Sequence, residues 1–160
     1  MKKLLLIAAC TLFAVSIKAQ NTTDEIKLIQ SQYGMDKKQL IVENMKFTEE
    51  ESSKFWPIYD KYETERMKLG QVRADEIMSF AKNYDTMTNE KATELVNATV
   101  ENHMAFSKLQ QKTFKELSSA ITPLRAAQFI QMEMFLENVI RKEISGAIPL
   151  IKKVEASEKK

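Results

Sequence analysis

From about residue 24 onward, apolar residues recur at intervals of three and four, the period of amphipathic helices; no stretch alternates apolar and polar as a half-buried strand would. The first stripe is Ile26, Ile29, Tyr33 and Leu40. Thr23 or Asp24 is its cap, the helix ends near Met45, and Gly34 weakens its middle by about 1 kcal/mol relative to alanine. The second stripe, Phe55, Ile58/Tyr59, Tyr62, Leu69, Val72, Ile77, Phe80 and Tyr84, predicts one long helix from Thr48 to about Tyr84. Pro57 removes an amide two turns in, so a kink or break is expected there. Thr88 caps a third helix that runs to about Ala120 with Leu95, Thr99, Phe106, Leu109, Thr113 and Leu117 inward. Thr122 opens a fourth, showing Phe129, Met132, Leu136, Ile140 and Ile144 before Gly146 and Pro149 stop it. The expectation is an all-α protein: a four-helix bent hairpin or bundle with a long kinked second helix. It forms one domain over residues 20–151, followed by a charged, disordered tail at 152–160.

Two helix starts echo one another. Phe47-Thr48-Glu49-Glu50-Glu51 leads through Ser52-Ser53 to Phe55, and Ile121-Thr122-Pro123-Leu124-Arg125 leads through Ala126-Ala127 to Phe129. Thr48 and Glu51 are spaced for a capping box, in which the threonine oxygen takes the N3 amide and the glutamate returns to the threonine amide. Thr122 followed by Pro123 is an N-cap with proline at the first helical position.

Composition changes the picture at the N-terminus. Lys2-Lys3, an apolar run from Leu4 to Ile17, and Lys18-Ala19 form a secretory signal, residues 1–19, with cleavage expected after Ala19. Ile7-Ala8-Ala9-Cys10 also offers a lipoprotein box as a lesser alternative. The apolar run is too short to span a membrane comfortably, and no later stretch approaches the ~20 residues required. The expected product is therefore periplasmic and not inserted in a membrane after cleavage. The formal charge of the whole chain is +2, but the leader holds three lysines and no acid. The remainder is close to neutral, and nucleic acid binding loses its compositional support. Cys10 is the one cysteine, so after cleavage no thiol chemistry remains.

Catalytic and metal constellations fail on counting. His103 is the one histidine, on the flank of the third stripe, where a half-buried structural role is expected; a di-iron site needs two Glu-x-x-His pairs. Met132 and Met134 lie about 200° apart on a helix and cannot share a soft metal ion. Gly34, Gly70 and Gly146 assemble no phosphate loop. No enzyme and no cofactor are expected. What remains is apolar surface: the second helix is so rich in aromatics that they either fill the core or leave part of a face uncovered. Phe55, Trp56, Tyr59, Tyr62 and Phe129 are the candidates for a protein-binding or dimer surface.

The paired Thr-centred starts in an exported all-α chain resemble the Spy/CpxP family of periplasmic proteins, whose duplicated Leu-Thr-x-x-Gln opens two helices. Here Phe47 and Ile121 stand at the leucine, and Glu51 and Arg125 at the glutamine. Phe55-Trp56-Pro57-Ile58-Tyr59, the ending Ala147-Ile148-Pro149-Leu150 and the leader ending Lys-Ala-Gln look like a Bacteroidetes-type branch. The resemblance implies a bent four-helix hairpin that dimerises into a cradle. It further implies a chaperone-like protein that captures exposed segments of envelope proteins or unfolded clients. The alternative is an envelope-stress adaptor or sensor docking on a membrane receptor; some relatives respond to metals.

Overall fold

The computed structural model describes residues 36–151. The expected signal segment with Cys10, the opening of the first predicted helix and the charged tail lie outside the described residues. Within them the protein is all-α, with α1 at Lys37–Met45, α2 at Glu49–Asn83, a 3-10 turn at Tyr84–Thr86, α3 at Asn89–Ala120 and α4 at Pro123–Ala147.

Local chemistry sets each helix start. The first expected helix does not run through from Thr23 or Asp24: Asp36 is extended (φ −75°, ψ 166°) and opens α1 with a capping box of its own, shared with Gln39. The helix ends where Lys46 turns left-handed (φ 46°) and donates its amide to the Val42 carbonyl at 3.0 Å. Helix α2 then runs unbroken past Pro57 for 35 residues. The ring lies on the solvent side, so the lost amide bond falls where water can serve the freed carbonyl.

The chain folds as two successive helical hairpins, α2 against α3 and α3 against α4. In the first, Glu65 meets Lys112 and Leu69 meets Asn102. Helices α2 and α4 therefore run parallel on either side of α3, and α1 packs on α4. Large side chains bridge α2 to α4. The core gathers at the end where both helices begin: Ile41, Met45, Phe55, Tyr59, Tyr62, Leu109, Leu117, Ala126 and Phe129.

This corrects the expectation of an aromatic surface. Phe55, Tyr59, Tyr62 and Phe129 are all 3% exposed or less, because α1 and α4 close over that face of α2. Phe129 stands edge-on to Phe55 at 5.0 Å and to Tyr62 at 5.7 Å, a favoured aromatic geometry. Trp56 is half-buried beside them; its Nε1 donates to Ser52 Oγ at 2.9 Å. Val72, expected inward, is exposed. The inward face of α2 instead continues through Arg66 and Arg73, and that of α4 through Glu133 and Glu137.

Candidate functional site

The two echoed helix starts lie side by side. Thr48 Oγ1 accepts the Glu51 amide at 3.2 Å, and Glu51 Oε2 accepts the Thr48 amide at 3.0 Å. Thr122 Oγ1 accepts the Arg125 amide at 3.2 Å, with Pro123 in the first turn of its helix. Both threonines are exposed, and their oxygens point at their own helices. The fifth positions of the two copies, 74 residues apart, bind each other: Arg125 Nε donates to Glu51 Oε1 at 3.0 Å. The same guanidinium donates to the Met45 carbonyl at 2.5 Å and lies over the Phe47 ring at 4.9 Å. It thereby ties the end of α1 to the starts of α2 and α4. Phe55 and Phe129, eighth from the threonines' predecessors in each copy, make the edge-on contact below it. The repeat is thus a clasp between parallel helices. The Glu51 carboxyl is held below its ordinary range first by the Thr48 amide and then by Arg125.

Below the aromatic cluster lies a buried ionic layer. Lys37 Nζ sits 2.6 Å from Glu63 Oε2 and 2.8 Å from Glu133 Oε2, and Arg66 grips Glu63 from the other side. Tyr62 Oη donates to Glu133 Oε2 at 2.8 Å. Burial opposes ionisation of Glu63, but the charges and hydrogen bonds of Lys37 and Arg66 outweigh it and hold the carboxyl down to about 2. Burial, reinforced by Glu133, pushes the Tyr62 hydroxyl far above its usual range, so it stays a proton donor.

Towards the far end, Arg73 pairs with Glu137, and Arg141 Nε approaches the same carboxylate at 2.8 Å. Both guanidiniums lie over the Phe106 ring, at 5.1 and 5.4 Å. Beyond them the helices part around a cavity of about 360 Å³ walled by residues of α2, α3 and α4 and by the non-helical Ile148–Ile151 segment. His103 lines its mouth. It is exposed rather than half-buried, because its position on α3 points past the inward stripe. Partial desolvation, then the fields of Arg141 and Arg73, keep its imidazole below the ordinary value against the opposing pull of Glu137.

The outer face of α3 carries a feature that the sequence reading passed over. Val96, Val100 and Met104, four residues apart, are each at least half exposed and form an apolar ridge. Val100, His103, Met104, Ser107 and Lys108 line a shallow hollow on it.

Among the described residues, no three His, Cys, Asp or Glu side chains gather as a metal site would require. No described helix is long and apolar enough to cross a membrane. No protein-family model, curated protein or solved structure matches this chain.

Proposed function

We propose that this chain is a non-enzymatic periplasmic protein of Spy/CpxP type, which captures exposed segments of envelope proteins without a cofactor. The observation that carries this reading is the Val96–Val100–Met104 ridge. An apolar strip held open to solvent on a long helix, bordered by His103 and Lys108, suits weak capture of apolar segments from partly folded clients. The clasp supports the reading from another side, since it explains how a Thr-x-x-Glu and a Thr-x-x-Arg copy replace the two glutamine-ended motifs of the family that the chain resembles. The periplasmic location rests on the leader alone.

The test dilutes a chemically denatured client with and without the protein and follows light scattering. The expected result is suppression at stoichiometric ratio, lost when Val100→Lys and Met104→Lys are combined. Both positions are exposed, so the fold should survive the pair. Absence of suppression overturns the chaperone reading. One crosslinked membrane partner in cells would then favour the stress adaptor.

A further inference from the structure

The cavity at the open end has a chemistry that neither the fold nor client capture requires. Its walls are largely aliphatic and aromatic: Ile77 and Phe80 from α2, Leu95 from α3, and Ile144 from α4. Its volume, about 360 Å³, falls within the range of small-molecule sites. Its ionisable groups are mostly basic. Arg73, Arg141 and His103 line it, and the one acid among the lining residues is Glu76, whose carboxyl burial pushes above its ordinary range. The two guanidiniums share Glu137 and are held over the Phe106 ring, so their positions are set before any ligand arrives.

A bare anion would meet the arginines but leave the apolar walls empty. An amine of any length would meet two guanidiniums of like charge, with Glu76 as the one lining acid to receive it, since Glu137 is taken up by both arginines and does not line the cavity. The complement is an apolar chain that ends in an anion. The roof suits such a ligand: Ile148 to Ile151 cross the cavity without helical structure, and Tyr84 Oη donates to the Leu150 carbonyl at 3.0 Å, leaving the Leu150 side chain in solvent. A strap tied through a backbone carbonyl can lift and re-form without disturbing a helix.

We propose that this cavity binds an aliphatic carboxylate of medium chain length, its tail among Ile77, Phe80, Leu95 and Ile144 and its carboxylate at Arg141 and His103. The site shares His103 with the hollow on the outer face of α3 and is otherwise lined by different residues, so Ile144→Trp separates it from client capture.

Decanoate, decylamine and acetate are the probes, kept below micelle formation and added to the purified protein. Since His103 is the one histidine, its ring protons report the mouth of the cavity directly by NMR. Decanoate is expected to shift them saturably and to raise the imidazole pKa, because an anion beside it favours the charged form. Acetate and decylamine are expected to do neither. Arg141→Gln should weaken decanoate binding by about tenfold, the loss of one charge-assisted hydrogen bond. Ile144→Trp, which fills the cavity but does not touch the hollow at Val100 and Met104, should abolish it. Equal binding of decylamine, no saturable shift with decanoate in the wild-type protein, or undiminished binding to Ile144→Trp would each overturn the proposal. The wild-type panel decides even if a variant fails to fold.

Discussion

At the clasp end, side chains from all four helices close on one another; at the other end the same three long helices stand apart around a cavity. Phe55, Leu117, Ala126 and Phe129 are wholly inaccessible at the first, whereas Phe80, the most buried apolar residue that lines the cavity, keeps contact with solvent. The difference follows from what fills the gap between the parallel helices α2 and α4. Near their starts it holds aromatic rings, further on a Lys37–Glu63–Glu133 layer, and then arginines over the Phe106 ring. Rings pack to closure, while charged side chains hold helices apart and need partners of their own. One end is thus built for stability, and the other keeps space.

The largest effect should separate the two ends by one kind of truncation. Phe129→Ala removes the ring that touches Phe55, Tyr59 and Tyr62, and should lower stability by about 3–5 kcal/mol. Phe80→Ala only enlarges space that already exists, so about 1–2 kcal/mol is expected, because less packing is lost than on opening a new cavity. Urea denaturation of both variants measures the gap. Equal losses would mean that the open end is as tightly packed as the clasp end, and the contrast would fall.

The ionic layer between the ends should reveal itself through acid. The Glu63 carboxyl stands at about 2 in the folded protein, against 4.5 for the free group. A folded value below the unfolded one means a contribution present in full above about pH 5. It drains away as the pH falls through 4.5 towards 2, on the order of a few kcal/mol in all. Glu63→Gln should be less stable at neutral pH and show a shallower loss of stability between pH 5 and 3. A variant whose melting temperature falls in parallel with the wild type over that window would remove Glu63 from the account.

Legibility divides along the same line. The threonine starts could be read because each device closes within three residues: Thr48 with Glu51, and Thr122 with Pro123 and Arg125. Asp36 and Gln39 have the same spacing, yet an apolar stripe running from Ile26 to Leu40 hides the helix start that they make. The buried charges were illegible for a different reason. Periodicity assigns a charged residue to the surface, and Arg73, Glu133 and Glu137 are inward with partners distant in sequence, while Arg66 is inward beside Glu63, one turn away on its own helix. A trace remained: the second stripe jumps from Tyr62 to Leu69, and Arg66 occupies the skipped turn. The aromatic residues were recognised, but their destination depended on α1 and α4 arriving over them, which no local pattern encodes. The ridge on α3 has a plain four-residue spacing and lay unread opposite the stronger stripe. No catalytic pattern distinguishes the chain, so what the sequence offers toward function is a resemblance and not a set of reacting groups.

The clasp itself should contribute less than either. The Glu51–Arg125 pair is partly exposed, so its value lies nearer that of a good surface pair plus the Met45 carbonyl bond than of a buried ion pair. Arg125→Ala should lower stability by about 1–2 kcal/mol. Exchanging the charges, Glu51→Arg with Arg125→Glu, should recover little. The swap puts arginine where the Thr48 amide expects an acceptor and removes the donor to Met45. A double-mutant cycle measures this. Full recovery in the swapped protein would mean that the charge pair alone holds the helix starts together, and that the caps are incidental to it.

The smallest expected effect runs in the opposite direction and lies at the open end. Asn102 is buried beside the cavity; its Nδ2 donates to the Leu69 carbonyl at 3.0 Å, but among the described residues its Oδ1 accepts no hydrogen bond. A buried acceptor without a donor is a standing penalty, and the Leu69 carbonyl is also within reach of its own helix amide. Asn102→Leu should therefore be neutral or raise stability by up to about 1 kcal/mol, and should leave decanoate binding intact, since it extends the apolar wall. No apolar replacement of a partnered polar group in the ionic layer, such as Tyr62→Phe beneath Glu133, should be so well tolerated. The urea midpoints of the two variants, compared directly, test this. A marked loss in Asn102→Leu would show that the amide oxygen serves a partner there, and that the open end is more tightly specified than its packing implies.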